Sequence, residues 1–382
     1  MADLLIRDLT KRFGGFTAVD GVDIAVGNGE FVFLLGPSGC GKTTTLRMIA
    51  GLEMPTGGRI EIGGRNVTYL RPRHRNVGMV FQDYGLYTHM TVFGNIAYPL
   101  KVRRMSREVI AQKVRAVAET MRIVDVLDRM PDQLAAGQLQ RVAIARMLVR
   151  DADVFLMDEP MSHLDAQLRG HMRAELRHIQ KEIGTTTIFV THDQLEAMTM
   201  ADRIIVMNAG KMLQFATPLE IFERPADEFV ATFVGEPQMN VMDATLRLGG
   251  GGLVADIGPF AVPLDADWTR ANDLGNQEGK KVRLGIRPEH VRLAAAPDAQ
   301  HPFSVELYSF EPTGPENIFV LRAGDVELTT RNSTAETVAL AREERSPMAI
   351  GFDPRWIYLF DTKTGRTIAQ AAASLGEGEL VA

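Results

Sequence analysis

Short apolar runs alternate with amphipathic stretches along the first part of the chain. "GEFVFLL" (29–35), "VFLM" (154–157) and "TTIFV" (186–190) are almost continuously apolar, which predicts strands buried on both faces. Residues 106–128 and 137–150 place apolar positions three and four apart, which predicts helices. Strands that alternate with helices in this way are typical of an α/β domain with a mostly parallel sheet.

The pattern changes after the stretch "GEPQMN". A glycine cluster, "GGGG", and short alternating runs such as "KVRLGI" and "SVELYSF" predict a separate, small all-β domain. We therefore expect two domains, 1–235 and 236–382, with a helical subdomain at about 85–150 inserted in the first. The sequence from about residue 365 offers little apolar surface to bury, so we expect a loose tail there.

The first candidate chemistry follows the first buried strand, because open α/β sheets bind ligands at the carboxyl ends of their strands. "GPSGCGKT" (36–43) fits the pattern of a phosphate-binding loop and precedes a predicted helix, "TTTLRMIAGL". Its glycines let backbone amides approach phosphate oxygens. Lys42 would contact the β- and γ-phosphates of a nucleotide, and Thr43 would supply a ligand for Mg²⁺.

Further polar side chains end three other predicted strands. Asp158 and Glu159 follow "VFLM", where an aspartate can hold Mg²⁺ and a glutamate can activate water as a general base. His192, in "IFVTHD", could hydrogen-bond a γ-phosphate, and Gln82, in "VFQDY", could reach the Mg²⁺ shell or the attacking water. Taken alone, the two acids are equally compatible with a solvated strand end, a histidine at a strand end is usually structural, and the glutamine is a weak signal. Together with the phosphate loop they favour a catalytic site.

Composition and charge exclude some classes of function. The chain is 45% hydrophobic and 24% charged, as expected of a soluble globular protein, and its formal net charge of -6 argues against binding to nucleic acid. No apolar run approaches the ~18 residues that cross a bilayer, so we expect any work at a membrane to be done through another chain. The single cysteine, Cys40, either gains thiolate character beside Lys42 and a helix N-terminus or acts as a small neutral filler.

In this order the motifs resemble the ATPase subunit of ATP-binding-cassette (ABC) transporters. "GPSGCGK", "MVFQDYGLYTHMTV", "VTHDQLEAMT", "GEPQMN" and "GIRPEH" are similar to stretches of the subfamily that powers carbohydrate importers of the maltose and glycerol-3-phosphate type. The resemblance covers residues 3–362. It implies a P-loop NTPase domain, a C-terminal regulatory domain like the oligonucleotide-binding (OB) fold, and ATP hydrolysis with Mg²⁺. The imported substrate would be a sugar, polyol, glycerol or glycerol-3-phosphate.

The same resemblance assigns roles to individual residues. An adenine-stacking aromatic and the phosphate loop would bind ATP: Phe13, Ser38, Gly39, Cys40, Gly41, Lys42, Thr43 and Thr44. Mg²⁺ would be held by Thr43, Gln82 and Asp158, and catalysis would use Glu159, His192 and Gln82. The signature motif, which meets the ATP of a second subunit, corresponds to Ala135, Ala136, Gly137 and Gln138, and Asp165 lies in the loop that crosses the dimer interface.

The signature "LAAGQ" departs from the Leu-Ser-Gly-Gly-Gln of the family. Ala135 removes a hydroxyl, and a hydrogen bond to a charged group contributes about 1.5 to 3 kcal/mol, so its loss costs about one to two decades in affinity or rate. Ala136 adds a Cβ where the backbone approaches phosphate. His163 also stands where asparagine is usual. We therefore expect a heterodimer with a second, related ATPase; the alternative is a homodimer that tolerates the alanines.

Further partners follow from the resemblance. It implies two membrane permease subunits, an external substrate-binding protein, and a peripheral location on the cytoplasmic face of the bacterial inner membrane. Residues between Tyr84 and Phe93 would form the groove for a permease helix. The alternative function is an ATP-binding regulatory subunit with weak hydrolysis that sequesters a signalling partner. The intact Glu159 and His192 favour the transport ATPase.

Overall fold

The structure is a computed structural model that describes residues 2–249, 252–275, 277–337 and 347–370. It divides into two compact units, Met1–Pro218 and Leu219–Ala382. Within the described ranges, no helix combines the length and the apolar character that crossing a membrane requires.

The first unit contains two sheets and a set of helices. Its strands are β1 Leu4–Phe13, β2 Phe16–Val26, β3 Phe31–Leu35, β4 Gly57–Ile62, β5 Arg65–Asn66, β6 Val77–Val80, β7 Val154–Asp158, β8 Thr186–Thr191, β9 Arg203–Asn208 and β10 Lys211–Ala216. Its helices are α1 Lys42–Ala50, α2 Val92–Val102, α3 Arg107–Thr120, α4 Ala136–Leu148, α5 Ala166–Ile183 and α6 Gln194–Met200. One sheet is antiparallel, in the order β2-β1-β4-β5. The other has the order β10-β9-β3-β8-β7-β6 and is parallel except for β10.

The three strands predicted from continuous apolar runs are confirmed as β3, β7 and β8. Every residue of these strands is buried, as expected for the centre of a parallel sheet covered on both faces. Phe33 of β3 and Phe189 of β8 stack with ring centroids 4.5 Å apart. The mostly parallel sheet expected from the sequence is therefore correct, and its carboxyl edge carries the turns that follow β3, β7 and β8.

The predicted helix over 106–128 is too long. The structure ends α3 at Thr120, and the following residues include a separate 3₁₀ turn, Val124–Val126. Arg122 has a φ of 52°, a left-handed conformation that a regular α-helix does not contain. Met121 and Val126, on either side of this residue, are both buried, so the apolar periodicity continues beyond the end of the helix. That continuation is why the predicted helix was too long. The prediction of a helix at 137–150 is confirmed by α4.

The second unit is mostly antiparallel β-structure. Its elements are α7 Pro218–Glu223, α8 Glu228–Phe233, β11 Asn240–Gly249, β12 Gly252–Asp256, β13 Ala261–Pro263, α9 Ala266–Ala271, β14 Lys281–Ile286, β15 Val291–Ala294, β16 Phe303–Pro312, β17 Glu316–Ala323, β18 Val326–Ser333, α10 Thr334–Thr337, β19 Pro347–Phe352, β20 Ile357–Asp361 and β21 Thr367–Ala369. The sheets have the orders β13-β12-β11-β14-β20-β21 and β15-β19-β16-β17-β18. Their inner faces share one apolar core. The expected C-terminal all-β domain is confirmed.

The two short helices α7 and α8 belong to the second unit, whereas the sequence pattern put the domain boundary at residue 235. The buried Arg287 accounts for the difference, because its Nη1 donates to Val234 O at 2.8 Å and its Nη2 donates to Phe222 O at 2.5 Å. Its guanidinium also lies 3.6 Å from the centroid of the Phe222 ring. Burial lowers the pKa of Arg287. This arginine ties the segment after residue 218 to the β-domain.

The end of the chain differs from the loose tail expected from about residue 365. Strand β21 pairs with β20, and Trp268 Nε1 donates to Gln370 O at 2.6 Å. The side chain of Ala369 is buried in the domain core. Few apolar residues are needed here because backbone pairing holds this segment. The rest of the predicted tail, 371–382, and the middle of the "GGGG" cluster, 250–251, lie outside the described residues.

Candidate functional site

The loop between β3 and α1 forms a cradle for an anion. Lys42 Nζ donates to Gly36 O at 2.7 Å and to Pro37 O at 3.0 Å, so the lysine closes the loop on itself. Gly41 precedes α1 with a φ of 108°, and a Cβ there would lie 2.5 Å from Ala18 O, so only glycine fits. Among the described residues, no side chain caps the first turn of α1. Its free amide groups and the positive end of the helix therefore face any anion held by the loop.

A cleft of about 330 Å³ opens over this loop. It is lined by Phe13, Phe16, Ala18, Ser38, Gly39, Gly41, Lys42, Thr43, Thr44 and Glu159. The cleft thus brings together most of the residues that the sequence predicted for nucleotide binding. Phe13 is 47% exposed and lies beneath Lys11 Nζ, 4.7 Å from the ring centroid.

Phe16 is a residue of this cleft that the sequence analysis missed. It is 62% exposed at the start of β2, opposite Phe13 in the β1–β2 register. With Phe13 it forms a pair of exposed aromatic side chains at the mouth of the cleft, which is what makes it a candidate for contact with a ligand. The signal available in the sequence was the pair of aromatics in "RFGGF", on either side of a two-glycine turn.

A hydroxyl from the lining of the cleft meets a carboxylate at the end of β7. Thr43 Oγ1 donates to Asp158 Oδ1 at 3.0 Å, which joins the first residues of α1 to the end of β7. Burial raises the pKa of Asp158, and the Thr43 hydroxyl and the guanidinium of Arg47 oppose that rise. A buried carboxylate with a raised pKa gains stability from a nearby cation. Oxygen donors of these two kinds are the ligands that Mg²⁺ prefers, so the residues fit the predicted metal.

A second acidic group faces a histidine from the neighbouring strand. Glu159 follows β7 and His192 follows β8, and the parallel register of these strands brings the two residues to the same edge. Glu159 Oε2 lies 3.2 Å from His192 Nδ1. The backbone of Glu159 has a φ of 45°, a conformation that costs energy for a residue with a side chain, and its N–H donates to Val190 O at 3.1 Å. This carboxylate can accept a proton from water, with the imidazole beside it.

Gln82 lies apart from this group. It is exposed, two residues beyond the end of β6, the edge strand that pairs with β7. Its side chain does not line the cleft over the phosphate loop. Its assignment to Mg²⁺ and to catalysis therefore stays a prediction for the nucleotide-bound protein.

Cys40 points away from the cleft. Its side chain is buried, and a Cβ built at Gly36 would lie 2.7 Å from its Sγ, so the thiol packs beneath the phosphate loop. Burial raises the pKa of Cys40, and the nearby Lys42 opposes this only in part. The structure therefore favours the small neutral filler over a reactive thiolate. Its contribution to nucleotide binding would come from its backbone.

We expect Cys40 to react slowly with N-ethylmaleimide at neutral pH and faster as the pH rises toward its raised pKa. Bound ATP should slow the reaction further, because it covers the loop above the thiol. Mass spectrometry of the single cysteine gives the rate. A rate equal to that of a free thiol would contradict the buried placement.

Comparison with known proteins identifies the family. The model for ABC transporters matches residues 19–162, that for the MalK OB-fold domain matches 235–291 and that for the TOBE domain matches 284–360. The trehalose/maltose import ATP-binding protein MalK of Thermococcus litoralis is 45% identical over 96% of this chain and its own full length. The chain belongs to the ABC transporter ATPase family.

Two other members of the family are similar over the same extent. The sn-glycerol-3-phosphate import ATP-binding protein UgpC of Cereibacter sphaeroides is 44% identical, and so is the sulfoquinovosyl glycerol transport ATP-binding protein SmoE of Agrobacterium fabrum. Each match covers 96% of this chain and all of the relative. The β-rich unit is therefore the MalK-type OB-fold region of an ABC transporter ATPase.

The segment at the place of the ABC signature begins helix α4. Ala135 is the N-cap residue, with φ −70° and ψ 157°, and has no side-chain acceptor for the free amides of the first turn. Gln138 Oε1 accepts a hydrogen bond from Ala135 N at 3.2 Å. Ala135 and Ala136 are exposed. A Cβ at Gly137 would lie 2.7 Å from Leu168 Cδ2, so this glycine lets the start of α4 pack closely against the side chain of Leu168 on α5.

The loop before α5 ends at Asp165, the residue predicted to cross the dimer interface. Its side chain caps α5 by accepting from Leu168 N at 2.8 Å. His163 in the same loop is exposed, and its ring lies edge-on to Tyr84, with centroids 6.0 Å apart. The residues predicted to face a second subunit thus lie at the N-termini of two helices that pack together.

A groove of about 300 Å³ lies elsewhere in the ABC domain. It is lined by Ala50, Leu52, Pro72, Arg73, Val77, Gly78, Met79, Phe81, Gly85, Tyr87, Tyr98, Pro99, Arg146, Met147 and Arg150. Arg146 of α4 shapes one wall by donating to Tyr84 O at 2.9 Å and to Gly85 O at 2.6 Å. The groove therefore contains part of the stretch between Tyr84 and Phe93 that the sequence analysis singled out.

Proposed function

We propose that this ABC transporter ATPase powers the import of a sugar, polyol, glycerol or glycerol-3-phosphate. The observation that carries the proposal is the full-length similarity to import ATP-binding proteins, which includes the C-terminal OB-fold region as well as the ATPase domain. The relatives are named for trehalose and maltose, sulfoquinovosyl glycerol and glycerol-3-phosphate. Carbohydrates and glycerol derivatives are therefore the substrates to test.

The residues of the cleft suggest how ATP is held. Phe13 would stack on adenine, with Phe16 beside it, and the amides of the phosphate loop and Lys42 would bind the phosphates. Thr43 and Asp158 would hold Mg²⁺, with Gln82 as a further ligand. The ion would neutralise charge on the phosphate oxygens.

Catalysis would depend on the pair that follows β7 and β8. Glu159 would take a proton from the attacking water, and His192, 3.2 Å from its carboxylate, would hydrogen-bond the γ-phosphate. The strained backbone of Glu159 supports this role, because such conformations cluster at functional sites. Hydrolysis would reopen a dimer that ATP binding had closed.

The alanines of the signature support pairing with a second, related ATPase. The cleft of this chain is lined by Lys42 and Glu159, with Asp158 bonded to Thr43 and His192 beside Glu159. By contrast, Ala135 and Ala136 leave an exposed helix N-terminus without a hydroxyl. A partner with a serine-containing signature would complete the site over Lys42. The reciprocal site, facing Ala135, would bind ATP weakly. A homodimer remains the other outcome of the test below.

The groove walled by Arg146 would receive a helix of a membrane permease. Exposed aromatic side chains, Tyr87 and Tyr98, line it with their rings 4.8 Å apart, and such rings are common anchors at protein interfaces. Two permease subunits would hold the ATPase pair peripherally on the cytoplasmic face of the bacterial inner membrane, and an external binding protein would deliver the substrate.

Uptake of labelled substrates tests the proposed function. A strain lacking this chain should lose ATP-driven uptake of maltose, glycerol or glycerol-3-phosphate, and the wild-type gene should restore it. Isolation of the native complex through this chain should also yield permease subunits. Unchanged uptake of every carbohydrate and glycerol derivative tried would reject the import function.

Restoring the signature tests the pairing. We expect A135S/A136G to raise ATP-dependent association of the purified chain with itself about tenfold, because the hydroxyl regains a hydrogen bond to a charged group. Every chain compared also carries E159Q to stop hydrolysis, and analytical ultracentrifugation measures the affinity. The exposed pair Ala111 and Ala116 on α3, changed to serine and glycine, is the matched control. Self-association of the chain with the wild-type signature that equals that of A135S/A136G would favour the homodimer.

A further inference from the structure

The backbone turn that carries His192 is held by its neighbours on both sides. Thr191 is buried, and its Oγ1 donates to Glu196 Oε2 at 2.7 Å and accepts from Asp193 N at 2.9 Å. Asp193 Oδ1 caps α6 by accepting from Leu195 N at 2.8 Å. The imidazole itself is more than half exposed and contacts Glu159, so the contacts of the flanking residues hold the backbone from which it projects.

The second carboxylate oxygen of Asp193 is bound from another helix. Arg169 Nη1 of α5 donates to Asp193 Oδ2 at 3.3 Å, and both side chains are mostly buried, with exposures of 32% and 23%. The Nε of Arg169 is fully buried and finds no hydrogen-bond partner within the described part of the chain. This partly buried arginine donates to Asp193, and its charge also opposes the rise that burial causes in the pKa of the nearby Glu196 carboxylate. Both carboxylates belong to the segment that follows His192, so the charge of Arg169 bears on the turn that carries the histidine.

Arg169 lies in the first turn of α5, next to the surfaces assigned to a second subunit. Its N–H donates to Asp165 O at 2.9 Å. The backbone N–H of the neighbouring Leu168 donates to the Asp165 carboxylate. The Leu168 side chain lies close to Gly137 of the signature segment, since a Cβ built on that glycine would be 2.7 Å from Leu168 Cδ2. The first turn of α5, which contains Arg169, is thus hydrogen-bonded to Asp165 of the interface loop and lies against the start of α4.

We propose that Arg169 is a positioning residue that couples contact with the second subunit to the placement of His192. The inference rests on the proposed function, because it concerns the ATPase step. Arg169 does not line the cleft over the phosphate loop; it acts through Asp193, one residue from the histidine. When the partner seats against Asp165 and the signature segment, the Arg169–Asp193 ion pair holds the His192 turn in the arrangement that supports hydrolysis.

The test compares R169Q, D193N and the double variant in the full complex isolated through this chain. D193N keeps an oxygen to cap α6 and removes the charge that pairs with Arg169. Each single variant should lower kcat for MgATP about fivefold, and the double variant should lower it no further. KM for ATP should not change, because the phosphate loop is untouched.

Arg177 supplies the matched control. It lies on the same helix and pairs with Asp202 at 2.6 Å, with exposures of 25% and 37% that are close to those of the first pair. R177Q should cost similar thermal stability and leave kcat unchanged. An R177Q loss of kcat equal to that of R169Q, an unchanged kcat in R169Q, or losses that multiply in the double variant would each overturn the proposal.

Hydrogen exchange provides a readout that needs no turnover. In the full-length chain with ATP, R169Q should raise amide exchange at residues 191–196 about fivefold, and R177Q should not. If the wild-type complex hydrolyses no ATP, the proposed function fails, whereas the exchange result still decides the role of Arg169. Equal exchange in R169Q and wild type would reject the coupling.

Discussion

Replacing Glu159 by glutamine is expected to lower ATP hydrolysis at least about a hundredfold, because a general base contributes ~10²- to 10⁴-fold to rate. The amide has nearly the same size as the carboxylate and cannot take a proton from water. Its contact with His192, now 3.2 Å, can be kept through the amide oxygen. MgATP affinity should therefore remain, and the dimer should stay closed longer. Phosphate release by the complex and ATP binding by calorimetry measure the two effects.

The same experiment separates a transport ATPase from a regulatory subunit that hydrolyses little. Equal phosphate release by wild type and E159Q would contradict the catalytic role and favour the regulatory function. E119Q is the matched control, since Glu119 is an exposed carboxylate near the end of α3, far along the chain from the phosphate loop. It should leave hydrolysis and ATP affinity unchanged.

The central sheet could be predicted because its strands are buried on both faces. A short, continuous apolar run that ends in polar residues fits a buried strand better than other elements. The bounds predicted for β3, β7 and β8 therefore agree with the structure to within one or two residues. The end of α3 could not be predicted, because the left-handed backbone at Arg122 ends the helix without interrupting the apolar periodicity. Strand β21 was missed for a related reason: backbone pairing with β20, rather than apolar content, keeps it in the sheet.

The parts of the site that local sequence motifs form could be predicted. A phosphate loop fixes its own geometry, and residues at the ends of parallel strands meet at one edge, which is why Glu159 and His192 are in contact. Phe16 required knowledge of which residues a hairpin leaves exposed. The contact between Arg169 and Asp193 required the packing of α5 beside the β8–α6 turn, which no spacing in the sequence encodes.

The side chain of Lys42 provides the second large effect. We expect K42M to weaken MgATP binding about a hundredfold, equivalent to about 2.7 kcal/mol. Methionine nearly preserves the volume of the lysine stem, so the buried position stays filled, but the charge facing the phosphates is lost. Calorimetric titration of the full chain measures the affinity. K113M, which removes an exposed lysine paired with Asp151 on the surface, should leave it unchanged.

Loss of stability is the competing explanation, and magnitudes separate it from loss of binding. Lys42 Nζ also donates to Gly36 O and Pro37 O, so K42M removes two hydrogen bonds within the loop. Each loss lowers the free energy of unfolding by at most about 1.5 to 3 kcal/mol. That cost lowers the melting temperature without changing the affinity of the chains that stay folded. A hundredfold weaker affinity at a temperature where K42M is fully folded therefore reports the loss of Lys42 from the binding site and not unfolding of the chain. Unchanged affinity in the folded variant would show that the lysine serves the loop and not the nucleotide.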